Sequence, residues 1–215
     1  SQGTFWVNLP DIASSTDNIQ IQRGVGTSTN GAAAFGASVS LNTNQIQRKP
    51  YAELNNSIGS FNTIKNTIAA GTGLIKNKFA IDARFSNIQS DGYIDRAFAD
   101  LRSIYLSGTY LGDNSQLTFN YFTGSEVTYQ AWYGVFEADL DSNRTINYAG
   151  TEKSGEPYDR EVDDYRQDHY QLHWNQSFNE KVNLGISLHY TRGQGFFEQY
   201  KADQFLPDYG IDPII

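Results

Sequence analysis

Asn18 to Thr43 reads N-I-Q-I-Q-R-G-V-G-T-S-T-N-G-A-A-A-F-G-A-S-V-S-L-N-T, and the remainder of the chain is organised around it. It opens as an alternating strand, with Ile19 and Ile21 on one face and Asn18, Gln20 and Gln22 on the other. Gly24 and Gly26 break that strand, and Thr27 to Gly31 is all small or turn-forming. A second alternating strand follows, with Ala37, Val39 and Leu41 against Ser38, Ser40 and Asn42. Two short strands pinched by glycine and alanine suit a place where backbones crowd together and large side chains do not fit.

Upstream, Phe5, Val7 and Leu9 alternate with Trp6 and Asn8, which predicts a short strand closed by Pro10. Ala13 to Asp17 fits either one helical turn or a loop. Downstream, Arg48, Lys49 and Pro50 mark a boundary, and from Tyr51 the pattern becomes strict alternation in stretches of about ten residues. Seven strands are predicted: Tyr51–Gly59, Thr63–Thr72, Lys78–Ile88, Leu101–Gly112, Ser115–Gly124, Gln167–Phe178 and Lys181–Arg192. In the sixth, Tyr170, Leu172, Trp174 and Phe178 oppose His169, Gln171, His173 and Asn175. In the seventh, Val182, Leu184, Ile186, Leu188 and Tyr190 oppose Asn183, Ser187, His189 and Thr191. Strands of this length match what a tilted strand needs to cross a hydrocarbon layer.

The connections sort by parity. Gly73–Asn77, Asp113–Asn114 and Asn179–Glu180 are tight; between them come Ser60–Asn62, Gln89–Asp100, the long Ser125–Arg166 and a tail from Gly193. Tight turns that alternate with longer loops are how an outer-membrane barrel is built. A soluble β-sandwich does not separate its loops so regularly.

Composition bounds the class. The 215 residues contain no apolar run long enough for a transmembrane helix, and the mean hydropathy is negative. Neither excludes a barrel, because half of each barrel strand faces water. Fourteen Tyr and thirteen Phe with no Met are what aromatic-girdled strands would give. The absence of Cys rules out disulfides and thiolate metal sites. A net charge of −8, with no Lys/Arg cluster, argues against nucleic acid. With no initiating Met and no signal-peptide pattern, the chain is expected to be an internal piece of a longer one.

The run R-G-V-G-T-S at 23–28, followed by G-A-A-A-F-G-A-S-V-S-L-N-T at 31–43, closely resembles the last part of the plug domain of TonB-dependent outer-membrane receptors. The resemblance implies an all-β chain: residues 1–47 the C-terminal part of a plug, and 48–215 the first seven or so antiparallel strands of a transmembrane barrel of about 22 strands. It implies active import of a scarce nutrient across the outer membrane of a Gram-negative bacterium. TonB, outer-membrane lipids and a small ligand such as a metal chelate would be partners, with a surface lipoprotein a further one. The glycan-importing subclass tends to carry Lys-Asp-Ala where this chain has Arg23-Gly24-Val25, which favours siderophore-iron, haem or cobalamin. A glycan importer and a passive or adhesive barrel are the alternatives, with a soluble β-rich binding module a third.

Gly26 to Gly31 has the spacing of a phosphate loop, but Ala32 and Ala33 replace the Lys and Ser/Thr it requires. Gly24-Val25-Gly26 runs on to Thr29, so the dinucleotide fingerprint fails too. His169 and His173 lie about 13 Å apart on a strand, and if Phe178 pairs with Val182, His189 lies opposite Gln171, which fits three solvated wall histidines. Asp139, Asp141 and Asn143 begin like a calcium loop, but Arg144 and Gly150 stand where Gly and Glu are needed, so the acidic loop 137–164 reads as solvated, with a loosely held Ca²⁺ the alternative. No metal site, cofactor or catalytic constellation is identified, and the chain reads as a non-enzyme. Tyr129, Trp132, Tyr133, Phe196 and Phe197 are the candidate ligand-gripping aromatics of the outward loops. Arg23 and Glu53 are the candidate ion pair between plug and wall.

Overall fold

The computed structural model describes residues 6–24, 36–43 and 46–211. Strands β1 (Asn18–Arg23) and β2 (Ala37–Asn42) pair antiparallel from Asn18↔Asn42 to Arg23↔Ala37. Their shared alternation puts Ile19 beside Leu41 and Ile21 beside Val39, so the register follows from the apolar rows. The glycine-rich turn between them, 25–35, lies outside the described residues.

A separate sheet holds seven antiparallel strands in chain order: β3 (Tyr51–Ile58), β4 (Ile64–Gly71), β5 (Phe79–Ser90), β6 (Ala99–Leu111), β7 (Ser115–Tyr129), β8 (Val162–Asn179) and β9 (Val182–Phe197). The chain is all-β, with no α-helix among the described residues. All seven predicted strands form, and Gln171 pairs with His189, although the expected Phe178–Val182 pair is replaced by Asn179–Val182 across a bulge at Phe178.

Strands run further than the sequence indicated at several ends. Ser125–Tyr129 continues β7 and pairs with Val162–Arg166, β9 extends to Phe197, and β5 and β6 pair out to Ser90 and Ala99. Charged or small residues such as Glu126, Asp163, Asp164, Gly193 and Gly195 break up the apolar alternation there, although the backbone ladder goes on. The predicted strand at Phe5–Leu9 is not formed. Trp6–Asn8 makes a 3-10 turn against β7 and β8, and no neighbouring strand offers it a ladder. A second 3-10 turn, Ile12–Ser15, follows Asp11, whose φ of 53° is left-handed.

The wall's two faces are inverted relative to a water-soluble sheet. On the face that meets the described residues ahead of β3 (the leader), most buried positions are polar: Thr67, Arg84, Ser86, Ser103, Ser107, Thr109, Thr118 and Asn120, with Ala80 and Tyr105 among them. They satisfy one another across the strands, as in Thr67 Oγ1 with Ser86 Oγ at 3.0 Å and Ser107 Oγ donating to Asn120 Oδ1 at 2.8 Å. The opposite face is apolar and open: Leu54, Ile68, Phe85, Leu106, Phe119, Leu172, Ile186 and Leu188 are all exposed. Tyr121, Tyr170 and Tyr190 are direct cross-strand partners on that face, with ring centroids 5.0 and 6.1 Å apart. Beyond this row the outer face turns charged, with Arg102 on Asp100 and Arg166 on Asp168. A small apolar cluster of Tyr129, Ala149 and Val162, joined by Phe98 and Val127, lies further out still.

Candidate functional site

The leader is fastened to the inner face through Asp11. Its Oδ1 accepts from Lys65 Nζ at 2.5 Å and Ser14 Oγ at 2.6 Å. Its Oδ2 accepts from Ser86 Oγ at 2.5 Å, Thr67 Oγ1 at 3.3 Å and Arg84 Nη1 at 3.3 Å. Alternation on β4 and β5 aims Lys65, Thr67, Arg84 and Ser86 at the same point, and the left-handed turn after Pro10 presents the carboxylate to them. Arg84 also donates through Nε to Ser15 Oγ at 2.5 Å and through Nη1 to Ser103 Oγ at 3.1 Å. The side chains of Asp11 and Arg84 are 6% and 4% exposed, so this is a buried ion pair, with both carboxylate oxygens and the Arg84 Nε and Nη1 engaged. Burial pushes the Asp11 carboxyl up, but the hydrogen bonds from Lys65, Ser14 and Ser86 outweigh it and hold the group below its ordinary range.

Two further contacts fix the leader. Tyr105 on β6 donates its hydroxyl to the Thr43 carbonyl at 2.9 Å. On β7, Gly124 leaves a notch for the leader: a Cβ there would lie 2.4 Å from Pro10 Cδ and 2.7 Å from the Asn8 carbonyl oxygen. Between leader and wall remains a polar cavity of about 130 Å³, with Asp17, Tyr51, Asp82, Arg84 and Tyr105 in its lining.

Arg23 and Glu53 are both exposed. The ion pairs that cross from leader to wall among the described residues are those of Asp11 with Lys65 and Arg84, not an Arg23–Glu53 pair. The sequence did carry a signal for the observed contact. Lys65 and Arg84 are cations on the inward face of adjacent strands, and buried cations demand an acid.

At the other end of the wall, the connection 130–161 is folded rather than loose. Arg96 donates through Nη2 to the carbonyls of Asn147 (2.7 Å) and Ala149 (2.9 Å), and its guanidinium sits 5.5 Å over the Tyr129 ring. Asn147 Nδ2 donates to the carbonyls of Asp95 and Gln130, both at 3.0 Å. The residues after β9 close onto this connection. Gln199 Nε2 donates to Tyr133 OH at 3.0 Å, Lys201 pairs with Glu152 at 3.4 Å, and the Tyr158 hydroxyl donates to Glu198.

The five candidate aromatics therefore separate. Tyr129 is 4% exposed and belongs to the apolar cluster, so its ring packs the connection instead of facing a ligand. Phe196 and Phe197 are consecutive in β9 and point to opposite faces, Phe197 inward and Phe196 outward. Trp132 and Tyr133 are exposed, and the Gln199 bond draws Tyr133 to the chain just beyond Phe197. His169 meets Thr191 through Nδ1 at 3.1 Å, and His173 meets Ser187 at 2.9 Å, so these histidines take hydroxyl partners singly. In the acidic connection, Asp139 accepts from the Tyr148 hydroxyl, while Asn143 accepts from the Thr145 backbone N–H at 3.2 Å.

The chain matches no protein-family model and no curated protein. Among solved structures it is similar to the ferric-catecholate import receptor Fiu from E. coli K12 in its open form, with a TM-score of 0.66 at 16% identity. The match covers 83% of this chain and 29% of that one, so this chain spans under a third of the receptor's length. What the two share is a fold.

Proposed function

We propose that this chain is the end of the plug (residues 1–47) and the first seven wall strands (48–215) of an outer-membrane receptor for TonB-dependent import of siderophore-bound iron, haem or cobalamin. The observation that carries the reading is the inversion of the sheet. Its exposed face is apolar with an aromatic row, and its buried face is polar and holds a docked leader. A sheet in water buries its apolar face; one whose outer rows meet lipid does the reverse. The likeness to Fiu supports the same architecture and fits a metal chelate as ligand. Leader docking through side chains favours a gated importer over a passive barrel, because the wall stays laddered when the leader leaves.

Seven strands leave β3 and β9 with one unpaired edge each, and a hydrocarbon layer cannot satisfy them. Transport therefore belongs to the whole receptor. In it, Trp132, Tyr133 and Phe197 form part of the outward ligand grip, and TonB acts on the plug from the opposite side. The test is binding of labelled ferric catecholate, haem and cobalamin to cells carrying the complete receptor. Trp132→Ala with Tyr133→Ala is expected to weaken one of the three about tenfold or more, with uptake abolished when TonB is deleted. Uptake that survives loss of TonB would overturn the energised reading. Tight binding of an oligosaccharide in place of all three would overturn the substrate class.

A further inference from the structure

We propose that Arg166 and Arg192 form a binding site for the phosphate of an outer-leaflet lipid, seated directly beyond the tyrosine row. The proposal rests on the membrane reading above. Tyr121, Tyr170 and Tyr190 divide the outer face. On one side lie exposed Leu117, Phe119, Leu172, Trp174, Ile186 and Leu188; on the other, Asp168, Arg166, Arg192 and Gln194. Interfacial tyrosines sit at headgroup level, so side chains one or two rungs beyond them stand where lipid phosphates lie. Arg192 is two residues past Tyr190 and Arg166 is four past Tyr170, about 7 and 13 Å along their strands before tilt is allowed for. Flexible arginine stems close the remaining distance.

The two guanidinium groups share a groove of about 520 Å³, lined by Arg166, Asp168, Tyr170, Tyr190, Arg192 and Gln194. The register pairs Asp168 with Arg192 and Arg166 with Gln194, so the arginines are diagonal neighbours on adjacent strands. Arg166 is already oriented. Its Nη2 and Nε donate to Asp168 Oδ1 at 3.0 and 3.3 Å, and Tyr121 OH donates to the same oxygen at 3.0 Å. That carboxylate is engaged from two sides, while Arg192 takes part in none of the ion pairs among the described residues. The groove thus carries two cations against one anion and keeps donors free. Guanidinium forks match phosphate oxygens in pairs, whereas the zwitterionic headgroup of phosphatidylcholine brings its own cation. The ligand the groove fits is a phosphate monoester or diester on an acyl-chain anchor that lies along the apolar face below.

The experiment places the complete receptor in phosphatidylcholine nanodiscs doped with a bisphosphorylated acyl-glucosamine lipid or its dephosphorylated form. Lipid retained per protein is read by mass spectrometry. Wild type is expected to keep the phosphorylated lipid about tenfold over the dephosphorylated one. Arg166→Gln with Arg192→Gln removes that preference, while Arg160→Gln, which pairs with Glu198 outside the groove, leaves it unchanged. Equal retention of both lipids by wild type, preference surviving in the double variant, or displacement by equimolar inorganic phosphate would each overturn the site. Flotation with vesicles separates the two readings. Protein that fails to float sinks the membrane assignment, whereas floating protein with no arginine dependence sinks only the lipid site.

Discussion

Replacing Asp11 by alanine removes the one acid that two wall cations share, and its consequence can be worked from the contacts. Lys65 is 31% exposed and re-solvates at small cost; Arg84 is 4% exposed and cannot. Breaking a buried pair from one side costs about 3–5 kcal/mol, because the remaining charge is stranded. That figure applies to leader docking and not to the wall, whose ladders do not involve Asp11. Amide hydrogen exchange in residues 12–23, followed by mass spectrometry on the complete protein in a bilayer, should accelerate by roughly two to three and a half powers of ten. Adding Arg84→Met to Asp11→Ala should recover much of the protection, since an apolar side chain leaves no stranded charge. Acid offers a second handle. The folded Asp11 carboxyl sits below its ordinary range, so its contribution is fully present above the usual carboxylate value of about 4 and is lost as pH falls through the lower folded value. Leader protection should hold flat from neutral pH to about 4 and fail only below it. Unchanged exchange in Asp11→Ala, or no recovery in the double variant, would refute the buried-charge account.

Other perturbations probe different parts of the molecule. Leu172→Arg or Leu188→Arg should each destabilise the bilayer-inserted protein by about 2–4 kcal/mol in denaturant titration, and Gln171→Arg should be mild; equal tolerance would refute the lipid-facing row. Gly124→Val places side-chain atoms where Pro10 and the Asn8 carbonyl now sit, so exchange should rise at residues 7–10 while β7 and β8 stay protected. Arg96→Ala deletes two charge-assisted bonds to the connection 130–161 and the contact with Tyr129, about 2–4 kcal/mol locally. Limited proteolysis should then cut within 130–161 faster than in wild type, with the strands intact.

What the sequence disclosed and what it withheld divide along physical lines. Period-two alternation specified β3 to β9 and their faces, because one wrong step would send every apolar side chain to the polar face; the bulge at Phe178 that sets the β8–β9 turn left no such mark. Strand ends past the tyrosine row were hard to see, since Val127, Tyr129 and Val162 stand among Glu126, Asp163, Asp164 and Arg166 without a sustained apolar row. Val7 and Leu9 alternated like a strand but have no partner to ladder with, and pattern alone cannot report that. The latch was half legible. Lys65 and Arg84 stood on the inward face, yet which leader acid reaches them depends on a docking across more than fifty residues of chain. Aromatic clustering in the sequence did not separate packing from exposure: Tyr129 is buried in the apolar cluster, and Phe196 and Phe197 face opposite sides.

The leader's two strands and the wall's seven belong to separate sheets, and what joins them is side-chain chemistry at a few points. A tug on the chain upstream of Asn8 would therefore load these fasteners one after another: first the Gly124 notch, then the Asp11 cluster, and last Tyr105 with Thr43. Detachment in such a sequence proceeds like peeling tape, where the force at any instant need only defeat a single attachment. Reattachment needs no strand exchange, so the wall's ladders stay whole through each cycle of release and return.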